Sequence, residues 1–296
     1  MAYTYRLSRR LAQIHVAAFF LATLSCADSQ APVHDSTSAN VAEYGFDSPS
    51  FVLATPTSVN IAHQPVGNTG ISDRAMNAKI EGGWTDRGDA AFTISSQSSA
   101  PASPNSIGRA FFRKGYTGGN GPIQTDLNLR GKNRKGLYLS FWIKLSSSFY
   151  GAPTSGVNKV FHIWADGIST VVFAAYGQRT ASLMPQLRLQ NTEADPRGSA
   201  FNLNPNIVTT KNFARNTWYH VELQLEANTP GVANGKALWW IDGTLVGSYS
   251  NVGYLGAQDS PYWEQISWAP TWGTPSDKVP ADMYMYMDHV YVSGHK

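Results

Sequence analysis

Between residues 136 and 293, apolar and polar side chains alternate with a period of two in one segment after another. "GLYLSFWIKL" sends Leu137, Leu139, Phe141, Ile143 and Leu145 one way and Tyr138, Ser140, Trp142 and Lys144 the other. In "PQLRLQ", Leu187 and Leu189 oppose Gln186, Arg188 and Gln190. In "TWYHVELQLEAN", Tyr219, Val221, Leu223 and Leu225 oppose Trp218, His220, Glu222, Gln224 and Glu226. Successive side chains of a strand point to opposite sheet faces, so each segment predicts a strand with one apolar and one polar face. "ADMYMYMDHVYVSG" predicts a closing strand with Met283, Met285, Met287 and His289 on one face and Tyr284, Tyr286, Asp288 and Val290 on the other.

The connections are read from turn chemistry. Asp242-Gly243, between two apolar runs, predicts a two-residue hairpin whose central residues both need positive φ. Trp239 and Trp240 then point to opposite faces, and at least one enters the core. Segments 66–80, 95–107 and 115–136, rich in Gly, Ser, Pro and Asn, predict loops. "SPYWEQISWAPTWGTPSD" also reads as a long loop, its Tyr262, Trp263, Trp268 and Trp272 packed on the domain because large exposed apolar patches are uncommon. Many strands without crossover helices predict two packed antiparallel sheets.

Charged residues form 15% of the chain, against roughly 25% in average globular proteins. With 12% aromatics, 26 Gly and 16 Pro, this suits a turn-rich extracytoplasmic β protein. Residues 1–26 read as an export signal, with Arg6, Arg9 and Arg10 ahead of an apolar stretch. The chain's only cysteine, Cys26, ends that stretch in "ATLSC" and looks like the lipidated residue of a bacterial lipobox, with Thr23 where Leu is preferred. An ordinary signal peptide with an incidental cysteine is the other reading. Residues 27–43 are small and polar, as in a flexible linker, and residues 44–296 form the folded domain.

The leader holds three of the 23 basic residues and none of the 20 acidic ones, so the formal charge of +3 belongs to it and the remainder is neutral. A neutral chain lacks the basic surface that phosphate backbones need, which excludes nucleic acid as the expected partner. One cysteine excludes an intrachain disulfide, and none of the zinc spacings is present.

"NTWYHVELQLEAN", "GKALWWIDGTLVGSYSN" and "YMDHVYVSG" together resemble the C-terminal half of concanavalin A-like lectin/glucanase jelly rolls, which include laminin-G-like modules and polysaccharide lyases. "LYLSFWIKLSSSFYG" followed by "NKVFHIW" resembles the central strands of the lyase-like members. The resemblance covers about residues 105–293. It implies an all-β, two-sheet antiparallel jelly-roll β-sandwich with one sheet curved into a glycan-holding groove.

The glucanase motif E-x-D-x-x-E is missing. Glu222 and Glu226 share a strand face at about 13 Å, too far for a retaining pair, which needs about 5 Å. Lyase-like members remove a proton beside a uronate with His or Tyr and hold its carboxylate with Arg and Gln. On that resemblance His162, Arg188 and His220 are the catalytic candidates. Tyr138, Trp142, His162, Trp164, Gln186, Arg188, Gln190 and Glu222 are the ligand-binding candidates, with Arg109 and Arg113 also within the candidate set. Val160 stands where the lyase strand carries glutamine, and no complete lyase motif is present.

The sequence is therefore read as an exported polysaccharide-binding protein, with a lyase acting by β-elimination on a uronate polymer and a structural surface module as the alternatives. If the chain is an enzyme, lyase is preferred to hydrolase. His162 and Trp164 either line a groove or fill the core. Asp288 either ligates a structural calcium or fastens a loop, and no other cofactor is expected. The expected partners are a polysaccharide and, through Cys26, a membrane.

Overall fold

A computed structural model describes residues 97–101, 107–119, 121–122, 129–131, 133–165, 171–190 and 202–296, together with the strand backbone at 42–44, 51–55, 58–61, 76–80, 92–95, 123–128 and 168–170. Among these residues the regular elements are strands, all paired antiparallel in two sheets.

Sheet A runs β15 (Thr244–Val252), β14 (Gly235–Ile241), β13 (Trp218–Glu226), β8 (Gly136–Leu145), β17 (Met283–Ser293), β6 (Ile107–Phe112) and β5 (Phe92–Ser95). β1 (Ala42–Tyr44) also pairs with β17. Sheet B runs β12 (Asn202–Leu203), β11 (Met184–Leu189), β10 (Ile168–Tyr176), β9 (Val157–Ala165), β16 (Trp263–Trp272), β7 (Ile123–Asn128), β4 (Met76–Ile80), β3 (Ser58–Ile61) and β2 (Phe51–Thr55).

The apolar stripes of the two sheets face each other. Leu137, Leu139, Phe141, Ile143 and Leu145 of β8 share one buried cluster with Phe161, Ile163 and Ala165 of β9 and Leu187 and Leu189 of β11. Phe141 spans the layers, its ring centroid 4.7 Å from Phe161 and 5.8 Å from Phe173. The polar members of each strand consequently point outward, on opposite sides of the sandwich.

Three sequence expectations need correction, two of them because bulges break the period of two. In β17 the register shifts between Asp288 and Tyr291, and His289 takes φ 45°. That extra residue turns Val290, not His289, into the core beside Val292. The Trp-rich "loop" is strand β16, central in sheet B. Bulges between Trp263 and Gln265 and between Trp268 and Thr271 offset its spacing, yet Trp263, Trp268 and Trp272 are all buried, as packing required. The loop segments 66–80 and 115–136 contain β4 and β7, which are held by main-chain pairing to neighbours on both sides. Backbone pairing needs no apolar side chain, so composition conceals it.

The Asp242-Gly243 hairpin forms as expected, with φ of 50° and 71°. Trp239 is fully buried, while Trp240 lies on the outer face. Opposite Trp239 in register stands Gly247, where a methyl group would lie 2.2 Å from the indole ring. Tyr249 stacks on that ring with an interplanar angle of 1°, so the indole has little room to yield. Gly247→Ala is expected to destabilise the domain by about 1–3 kcal/mol, the usual range for overpacking, read as a lower urea midpoint at unchanged slope.

Candidate functional site

The predicted site residues fall on two separate faces. Tyr138, Trp142, His220 and Glu222 lie on the outer face of sheet A, and His162, Trp164, Gln186 and Arg188 belong to sheet B, with Gln190 directly after β11. The sandwich core separates them, so His162 and Arg188 share no groove with His220. Arg109 joins the sheet A face, with its guanidinium 5.0 Å from the Tyr284 ring centroid, and Arg113 follows at the end of β6.

On sheet B, pairing sets the positions. Arg188 stands opposite Val172, Val172 opposite His162, and His162 opposite Ser267. With adjacent strands about 4.8 Å apart, Arg188 and His162 sit about 10 Å apart at the backbone, a gap that the long arginine side chain can cross. The next rung aligns Gln186, Ala174 and Lys159. Val172 and Ala174 form a small apolar floor on this face with Val157 and Tyr176 packed beside them.

Lys159 was missed by sequence reasoning. Counting by twos from His162 puts Val160 on the polar face. The β9–β10 register shift instead inserts one residue there, sending Val160 into the core and bringing Lys159 to the face of His162. A cation therefore stands near the position where the lyase strand's glutamine was sought. No local signal in "NKVFHIW" marks the bulge.

Lys159 donates to Gln190 Oε1 at 3.3 Å, Arg188 to Gln186 Oε1 at 3.5 Å, and Gln186 to Asn204 Oδ1 at 2.7 Å. Trp164 and Gln265 both donate to Ser267 Oγ, at 3.0 and 2.9 Å. Among the described residues neither Lys159 nor Arg188 is paired with a carboxylate. Burial pulls both below their ordinary values, with the Arg188 charge adding to the effect on Lys159. His162 falls from 6.5 to about 3, first through burial and then through Lys159. At neutral pH the face thus presents two cations and an uncharged imidazole.

On sheet A, Glu222 accepts from the Tyr138 hydroxyl at 2.7 Å and faces the Lys296 ammonium at 2.9 Å. That ammonium also lies 3.8 Å from the Trp240 ring centroid. Trp142 packs on His220 with centroids 4.8 Å apart. Asp288, the calcium candidate, is fully buried opposite Trp142 in register. Among the described residues no three His, Cys, Asp or Glu side chains converge as metal ligands would. Residues 1–26, read from sequence as an export signal ending in Cys26, lie outside the described residues.

No protein-family model matches the sequence, and no curated protein matches it. Among solved structures, the endo-β-1,4-glucuronan lyase of the fungus Trichoderma reesei aligns with a TM-score of 0.51 and 18% identity, over 70% of this chain and 89% of that one. The PL-14 alginate lyase of Aplysia kurodai aligns at 0.49 and 13% identity, over 69% and 87%. The binding domain of botulinum neurotoxin serotype D/C aligns at 0.47 and 11%, over 87% and 49%. At such identities the likeness is one of architecture. The chain is an all-β jelly-roll sandwich of the concanavalin A-like kind, the fold it shares with the glucuronan lyase.

Proposed function

We propose that this chain is a polysaccharide lyase that cleaves a uronate-containing polymer by β-elimination on the outer face of sheet B. The reading is carried by one observation: Lys159 and Arg188, without carboxylate partners among the described residues, share the outer face of sheet B with the uncharged imidazole of His162, Arg188 in register with it across β10. Two partly buried cations are an anion site, and a uronate carboxylate suits a planar guanidinium.

Elimination needs a base for the proton at C5 and a positive charge for the carboxylate as the carbanion forms. His162 takes the proton, Arg188 and Lys159 hold the carboxylate, the C4–O4 bond breaks and C4=C5 forms. The departing oxygen takes a proton from water, the hydroxide so formed takes the proton back from His162, and Trp164 offers its ring to a sugar. The jelly roll shared with a glucuronan lyase supports this at the level of architecture, and the leader with Cys26 supports export and membrane anchoring.

Binding without cleavage is the second reading, favoured by the low proton affinity that burial gives His162. Incubation with glucuronan and alginate separates the two. Ultraviolet-absorbing unsaturated ends are the expected result. Retention on the immobilised polymers without such ends would leave only the binding reading, and neither product nor retention would overturn both for these polymers.

A further inference from the structure

The opposite face of the sandwich holds a serine, an imidazole and a carboxylate in series. On the paired strands β8 and β13, Ser140 stands opposite Glu222 and Trp142 opposite His220. The Trp142 ring packs on the His220 ring at an interplanar angle of 31°, fixing its tilt. His220 Nε2 then lies 2.8 Å from Ser140 Oγ, and Nδ1 lies 3.9 Å from Glu222 Oε2. The Glu222 side chain is only 8% exposed and is held from its other oxygen by Tyr138 and Lys296. The His220 side chain is 29% exposed, so the centre of the series can be approached from outside.

We infer that Ser140, His220 and Glu222 form a second, hydrolytic site that cleaves short-chain carboxylic esters. The order of groups is that of a nucleophile, its base and the group that orients the base. The Nδ1 to carboxylate distance is looser than a hydrogen bond, as is common before substrate binds. On an outer face water can serve polar side chains, so burial alone does not require this sequence of contacts.

In the reaction, Ser140 Oγ attacks the acyl carbon while its proton passes to His220 Nε2. The bond from the acyl carbon to the alcohol oxygen breaks, and the alcohol leaves with that proton. Water, deprotonated by His220, then cleaves the acyl-serine, releases the acid and returns the proton to Oγ. The Tyr138 hydroxyl gives its one proton to Glu222 Oε1 and so fixes the carboxylate that orients His220. Ser140 is 8% exposed between bulky neighbours, which restricts the acyl group to one as small as acetyl. An O-acetyl group on a sugar fits this class, and that identification alone rests on the polysaccharide reading above.

The test uses the full chain. Treatment with a fluorophosphonate probe and peptide mass mapping is expected to place the label on Ser140. Hydrolysis of p-nitrophenyl acetate should fall by about 10²-fold or more in Ser140→Ala and His220→Ala, the minimum usual for losing a nucleophile or base. Glu222→Gln should retain labelling at a slower rate, with a shifted pH profile. Circular dichroism establishes folding, and labelling of the unmodified protein needs no variant. An unlabelled Ser140, or equal hydrolysis by the parent and a folded Ser140→Ala protein, would reduce the series to a surface hydrogen-bond network. The elimination assay runs separately, since Ser140→Ala leaves the sheet B face intact.

Discussion

His162→Ala is expected to lower the rate of unsaturated-end formation by about 10²- to 10⁴-fold, the contribution typical of a positioned general base, while retention on the same polymer should change little. The split follows from the geometry. His162 is a neutral ring, so it adds no charge to substrate binding, whereas in the proposed site Lys159 and Arg188 supply the attraction for the carboxylate. Arg188→Ala and Lys159→Ala should weaken retention, and the residual binding should vary less with salt because fewer charges remain to be screened. A His162→Ala protein that cleaves at the parent rate would remove the base from the proposal. The pH profile gives a second readout. Because kcat/KM reports the free enzyme, its acid limb should lie well below the ordinary histidine value of 6.5, towards about 3. Folding is linked with the same sign. The unfolded chain takes up this proton near 6.5 and the folded chain only near 3, so stability contributed by this group declines as pH falls through that window.

How far the sequence discloses this molecule depends on where the alternation is regular. β8, β11 and β13 carry no inserted residue of their own, the shift in the β8–β17 pairing falling on β17, and counting by twos assigns their inner and outer residues correctly. β9, β16 and β17 each carry a register shift, and there the same counting misplaces Val160 and His289 and hides a central strand behind the spacing of three tryptophans. The bulges are set by pairing with neighbouring strands distant in sequence, which no local pattern records. The same limit applies to the site. Outward-facing polar residues were identifiable strand by strand, but sheet membership is a property of the whole topology. Residues such as Glu222 and Arg188 therefore look alike in sequence and stand on opposite sides of the sandwich.

The largest stability effect is expected at Phe141. Its side chain is completely buried at the centre of β8, with aromatic neighbours from both β9 and β10 across the layer gap. Phe161 and Phe173 are themselves core residues on adjacent strands, so removal of the Phe141 ring leaves a void bounded by rigid rings on paired backbones. Such a site collapses poorly, and the cost combines lost transfer free energy with the cavity left behind. Phe141→Ala should cost about 3–5 kcal/mol, lowering the thermal midpoint by an amount on the order of 10 °C for a domain of this size. Phe141→Leu keeps much of the volume and should recover more than half of the loss, which distinguishes cavity formation from a change in strand pairing. A Phe141→Ala protein with an unchanged urea midpoint would mean that the two sheets do not meet at this ring. Because the outer faces are positioned only through this shared core, a folded Phe141→Leu protein should retain both the sheet B and the sheet A chemistry.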